Sequence, residues 1–184
     1  MTKASNKKAA IIGGGVIGGG WAARFLLNGW DVAVFDPDPQ AQRKINEVLA
    51  NARRSLPALY DRALPAEGTL TFHDDMAAAV AGAQWIQESV PEQLALKHKI
   101  LAQIQAHAPT DCLIGSSTSG FKPSELQQGS NNPGQIVVGD GVLRGIEIVQ
   151  VAELVAEGVA NAAIRLGYFF DALLADDNVV SEIL

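Results

Sequence analysis

Sulfur is scarce in this chain, and that scarcity already excludes one class of protein. Its single cysteine, Cys112, cannot form a disulfide within the chain, so a disulfide framework is ruled out. Cys112 sits in an apolar run, a setting that predicts a buried structural thiol rather than a reactive one. Positive charge is also in short supply. Fourteen Lys and Arg against twenty Asp and Glu leave a net charge of −6, which gives no basic surface for nucleic acid or an anionic membrane. Long apolar runs are missing too. The most apolar stretch, 9–27, is glycine-rich and carries Arg24, whereas a spanning helix needs about 20 good apolar residues. The three histidines, His73, His98 and His107, are isolated from one another, and no metal site is expected. The first residues, MTKASNKK, are polar and lead straight into an apolar segment without a signal-peptide pattern. The expected compartment is the cytoplasm.

What is present suits a single α/β domain. A length of 184 residues is enough for a real core, and 48% apolar composition is ordinary for a globular chain. One domain is expected over 1–184, with a polar tail over 1–7. Short apolar strands alternate with amphipathic helices. The strands expected are Lys8–Ile12, Asp31–Phe35, Thr69–His73, Trp85–Val90, Cys112–Ser117 and Ile136–Gly139. The helices expected are a first one closed by Gly29, then Pro39–Leu56, Asp74–Ala83 with an acidic first turn, Glu92–Ala106, and a short one from Pro123 to about Gln128. This alternation predicts a doubly wound, mostly parallel sheet of Rossmann type in three α/β/α layers. Ligands bind such sheets at the carboxyl ends of the strands. The glycine loop, the end of the Trp85–Val90 strand and Ser116–Gly120 should therefore meet in one crevice.

The first strand, helix and second strand carry the strongest motif. Gly13, Gly15 and Gly18 have the spacing G-x-G-x-x-G between an apolar strand and a helix, and the second strand ends on Asp36. Gly13 allows the tight turn, Gly15 lets a pyrophosphate approach the backbone, and Gly18 allows close helix–strand packing. Val16 and Ile17, at the start of the helix, are expected beside the same cofactor, since helix N-termini offer N–H groups and a positive dipole end to phosphates. Asp36 lies 18 residues after Gly18, close to where an acid accepts hydrogen bonds from ribose hydroxyls, and it would repel a 2′-phosphate. The cofactor expected is NAD. A glycine-rich turn that binds nothing is the alternative, and the extra glycines Gly14, Gly19 and Gly20 lend it weight.

Three separated segments, GGGVIGGGWAARFLLNGWDVAVFDPDP, QESVPEQLALKHKI and LIGSSTSGFKPSEL, occur in the order found in a known family. The chain resembles the NAD-binding domain of the 3-hydroxyacyl-CoA dehydrogenase family, and within it the branch acting on L-carnitine, with the lambda-crystallin (gulonate dehydrogenase) branch close behind. The resemblance covers about 8–139. It implies NAD-dependent oxidation of a 3-hydroxy group, of L-carnitine or 3-hydroxyacyl type, by hydride transfer. It also implies that Ser119 contacts the substrate oxygen, with Ser117 nearby, and that Glu92 lies close to the nicotinamide ribose. Two plainer readings stand beside these roles: Ser119 as a helix cap or loop hydroxyl, and Glu92 as an acid in a helix first turn.

The resemblance also implies a histidine base and an orienting glutamate after the last matched strand. Asp140 stands at the histidine position and Leu143 at that of an asparagine. Ala152 stands at the glutamate position, with Glu153 one residue on. A solvated aspartate is a poor match for an alcohol proton. Family members continue into a helical domain, which is expected to be absent here. The competing readings are an oxidoreductase or its cofactor domain, a stand-alone or engineered NAD-binding module without turnover, and a structural protein keeping the fold alone. Beyond Gly139, a strand at Ile146–Ala152, a helix at Val159–Leu174 and a strand at Asn178–Glu182 are expected. Tyr168, Phe169 and Phe170 either pack on the sheet or offer a face for a homodimer.

Overall fold

The computed structural model describes residues 7–60 and 63–138. Asp140, Glu153 and every element expected beyond Gly139 lie outside them. The first strand, β1 (Lys8–Ile12), and the second, β2 (Asp31–Phe35), have the bounds expected from sequence. They are joined by α1 (Val16–Leu27). Next come α2 (Ala41–Ser55), a 3₁₀ turn at Leu56–Leu59, β3 (Leu70–His73), α3 (Met76–Val80) and β4 (Trp85–Glu88). The described part ends with α4 (Leu94–His107), β5 (Leu113–Ser116), α5 (Pro123–Leu126), a 3₁₀ turn at Pro133–Gln135 and β6 (Ile136–Val138).

The six strands form one sheet in the order β3-β2-β1-β4-β5-β6, and every pairing among them is parallel. Strand order reverses direction between β1 and β4, the switch point where such sheets bind ligands. Register brings the strand ends into one row: Ile12 pairs with Phe35 on one side and Glu88 on the other, and Glu88 pairs with Ser116.

Alternate residues of β1 face opposite ways. Ala10 and Ile12 join a buried cluster with Val80, Ile86, Leu101, Ile104, Ile114 and Leu126, which belongs to the α3, α4 and α5 side. On the other side α1 lies close over the sheet. A side chain at Gly18 would overlap the Gly13 carbonyl oxygen and sit 3.2 Å from Ile11 Cγ2. α2 stacks on α1 through Val48, 3.2 Å from where a side chain at Gly19 would begin. The result is the three-layer arrangement expected. Among the described residues, no helix is long and apolar enough to cross a membrane.

Several element ends differ from expectation by one to three residues. α1 ends at Leu27 with Asn28 as its cap, and Gly29 is the residue just beyond, at φ +81°. The Gly29 and Trp30 N–H groups donate to Leu26 O and Phe25 O, at 3.0 Å each, the paired bonds of a Schellman ending. Asp75 is not inside a first turn; it caps α3, its carboxylate accepting from the Ala78 N–H at 3.1 Å. α4 starts at Leu94, after an extended Gln93. Glu92 therefore lies outside the helix, which removes its reading as a first-turn acid.

Candidate functional site

The glycine loop is built as its spacing requires. Gly13 has φ +106°, a conformation that side chains disfavour, and a Cβ there would lie 2.6 Å from Ser89 O. The Gly13 N–H donates to Phe35 O at 3.0 Å, tying the loop to the end of β2. Gly15 is the N-cap of α1 and no side chain caps that end. A Cβ on Gly15 would have nothing within 4 Å, so the backbone there faces open space. Val16 and Ile17 follow with 53% and 41% of their surfaces exposed; Ile17 lines the cavity in front of the loop and Val16 does not.

Asp36 is held from two directions. One carboxylate oxygen accepts the Gly14 N–H and the other accepts the Asp38 N–H at 2.7 Å. An ionised carboxylate has about four lone-pair sites, so acceptor capacity remains for a ligand hydroxyl. Asp38 is in turn paired with Lys44 at 2.6 Å. The hydrogen bond from Lys44, then that from the Gln40 N–H, holds the Asp38 carboxyl below its usual range.

A cavity of about 970 Å³ opens in front of these groups. The glycine loop, Ile17, Asp36 and Asp38 line one side, and Asp75, Ser89, Val90 and α4 line the other. Ser117, Glu92 and Ser119 are not among its lining residues.

The segment that follows β4 joins the two halves. The Ser89 N–H donates to Ile12 O, and the Ser117 N–H to Glu88 O, both at 2.8 Å. The Ser89 and Ser117 hydroxyls are 3.0 Å apart, and Gln87 Nε2 donates to Ser117 Oγ at 2.8 Å. The glycine loop, the β4 end and the serine loop are therefore joined by hydrogen bonds, but Ser116–Gly120 do not line the cavity, so the single crevice expected for all three is not what the cavity shows. Glu92 reaches across to the serine loop, accepting from the Thr118 hydroxyl, the Gly120 N–H at 2.9 Å and the Ser119 N–H at 3.2 Å. Partial burial disfavours its charged form. The bonds from Thr118 and Gly120, with the charge and bond of Lys97, outweigh that and hold the carboxyl below its usual range. The Ser119 side is exposed, and it caps no helix: Lys122 is the N-cap of α5. The loop hydroxyl role expected of Ser119 is filled by Thr118, which accepts the Phe121 N–H at 3.2 Å.

The cradle fits a dinucleotide. It offers bare backbone at Gly15, an uncapped helix start for phosphate, and a carboxylate fixed at the end of β2 for ribose. With that geometry the class is defined: a Rossmann-type dinucleotide-binding domain. Residues 8–164 match the family described as 3-hydroxyacyl-CoA dehydrogenase, NAD binding domain, and the chain belongs to that family.

Curated relatives agree. The chain is 72% identical over 130 residues to an L-carnitine dehydrogenase/betainyl-CoA thioesterase of Ruegeria pomeroyi, covering 71% of this chain and 27% of that protein. It is 57% identical over 133 residues to an L-carnitine dehydrogenase of Mesorhizobium japonicum, covering 72% of this chain and 36% of that protein. The chain thus spans about a quarter to a third of the length of these relatives. Among solved structures, an NAD+ dependent 5-dehydrogenase of a formyl-hydroxy-methylpyridine carboxylic acid superposes with a TM-score of 0.65 at 34% identity, over 73% of this chain and 44% of that one. The cofactor of the family is NAD.

Sequence reading missed the innermost polar group at the site. Lys97 and Glu88 form an ion pair with no exposed side-chain area, Nζ to Oε1 2.9 Å. A signal existed. Lys97 falls on the buried stripe of α4 with Leu101 and Ile104, so helical periodicity alone points it inward. The cavity contacts of Asp75, Ser89 and His107 were missed as well.

Proposed function

We propose that this chain is the cofactor-holding part of an enzyme that oxidises the secondary alcohol at C3 of a small hydroxy acid, with L-carnitine as the substrate. The observation that carries this reading is the 72% identity to a relative named for L-carnitine dehydrogenation. The bare backbone of the glycine loop supports the cofactor half of it. In this reading Gly15, Val16 and Ile17 lie against the pyrophosphate, Gly13 and Gly18 shape the loop that receives it, and Asp36 takes the adenosine ribose hydroxyls. Glu92 and Ser117 serve the nicotinamide end, and the Ser119 hydroxyl hydrogen-bonds the substrate oxygen. When bound, NAD would supply the acceptor for a hydride from C3. Titration with NADH, followed by nicotinamide fluorescence, tests the assignment. Gly15→Val and Asp36→Ala should each weaken binding about tenfold or more, roughly 1.4 kcal/mol or greater. Unchanged affinity in both variants defeats it.

A second reading, an NAD-binding module without turnover, is favoured by Asp140 in place of the expected histidine. The chain by itself should then form little or no NADH from L-carnitine and NAD. A turnover in the ordinary range of about 1–10³ per second overturns that reading. Two further assignments rest on sequence alone. The cytoplasm is assigned as the compartment, and a homodimer face to Tyr168–Phe170, which lie outside the described residues.

A further inference from the structure

Glu88 closes β4, Lys97 lies in the first turn of α4, and neither side chain has any exposed area. Burying two charges costs solvation that only close geometry and extra hydrogen bonds offset, and apolar substitutes often serve stability as well. An apolar residue at 97 would simply continue the stripe of Leu101 and Ile104. The pair is therefore better explained by what it holds than by its own energy.

What it holds can be followed atom by atom. Lys97 Nζ lies 2.9 and 3.1 Å from the two Glu88 oxygens, 3.3 Å from Val90 O and 3.4 Å from Glu92 Oε2. Its three N–H groups are thus committed within the protein. Glu88 also accepts from the Ser116 hydroxyl and from the Val90 N–H at 2.7 Å. The ends of β4 and β5 and the segment after β4 are pinned to one buried carboxylate. Glu92 itself is 40% exposed. One of its oxygens is held by Lys97, while the other gathers the Thr118 hydroxyl and the Ser119 and Gly120 amides.

We infer that Glu88 is a positioning residue: it fixes Lys97, Lys97 fixes Glu92, and Glu92 sets the Thr118–Gly120 loop that presents Ser119. This rests on the reading of Glu92 and Ser119 as the nicotinamide and substrate end of the site. A pair that only stabilises the fold would affect the whole domain alike. A positioning pair affects one loop and one half of the dinucleotide.

The test uses the chain with the double substitution Glu88→Gln/Lys97→Gln, which leaves no lone buried charge, and with Glu92→Gln. Amide hydrogen exchange at Ser119 and Gly120 should speed up about tenfold in both, while Gly14 and Asp38, whose amides bond Asp36, stay unchanged. NADH affinity should fall about tenfold with ADP-ribose affinity unchanged. Adding Glu92→Gln to the double variant should cost little more, since the residues act in series. Should the double variant not fold, Ser116→Ala removes one donor to Glu88 and should speed the same two amides about threefold. Equal acceleration at all four amides, equal loss of NADH and ADP-ribose, or no change at Ser119 and Gly120 overturns the inference. A wild-type chain that binds neither ligand overturns the cofactor reading instead, and the exchange data alone then decide the positioning role.

Discussion

A methyl group at Gly18 and an isopropyl group at Gly15 should report on different properties of the same loop. At Gly18 the new Cβ overlaps the Gly13 carbonyl oxygen, so Gly18→Ala forces α1 off the sheet and should lower stability by about 1–3 kcal/mol, read as a shifted urea midpoint. At Gly15 the added carbon meets nothing and the backbone, at φ −72°, is one that any residue adopts. Gly15→Val should keep the urea midpoint within about 1 kcal/mol of wild type and still weaken NADH. Glu92 adds a pH dependence with a definite sign. Its folded carboxyl is held below its usual range, chiefly by Thr118, Gly120 and Lys97 working against burial. Its contribution is therefore full above the ordinary glutamate value of about 4.3 and is lost as pH falls through the lower folded value. Stability measured against pH in that acid range should decline less steeply in Glu92→Gln than in wild type. Cys112 is 1% exposed, and burial, with the nearby charge of Asp111, pushes its thiol up to about 12. Iodoacetamide should leave it unmodified at pH 8 in the native chain, and rapid labelling there contradicts a buried structural role.

At the scale of elements, ends were harder to read than existence. β1 and β2 were legible to the residue because Lys8, Asp31 and Asp36 bracket short apolar runs between turn glycines. β4 was expected to run to Val90, up to Pro91, but it stops at Glu88. Ser89 instead packs on Gly13, and the Val90 amide turns back to the Glu88 carboxylate. Neither partner is local in a way that periodicity records. The end of α1 is the opposite case, since glycine beyond an apolar stripe is a local signal. Gly29→Ala must hold φ near +81° and should cost about 1–2 kcal/mol in chemical unfolding. The candidate site divides along the same line. The glycine spacing and Asp36 could be read from residue types. That Lys97 would find Glu88, and that Glu92 would leave its helix to hold a loop 26 residues away, could not.

For the whole molecule, the sheet order gathers strand ends from distant parts of the chain into one row. Phe35, Ile12, Glu88 and Ser116 stand side by side although they span more than a hundred positions. Light scattering tests the assembly assignment: a dimer is expected if Tyr168–Phe170 form an interface, and a clean monomer across a wide concentration range removes it. The sequence by itself determined the class of fold, the family and the cofactor. Those depend on short-range facts: where backbone must lack a Cβ, where an apolar stripe recurs, and where an acid follows a strand. Only the tertiary structure decided how the two halves of the crevice are joined. A buried ion pair and a bridging carboxylate depend on which strand ends become neighbours in a parallel sheet, and that is settled by long-range pairing and burial. The glycine loop and Asp36 line the cavity, and the Glu88–Lys97 pair ties the end of β4 to Glu92 and, through it, to the serine loop.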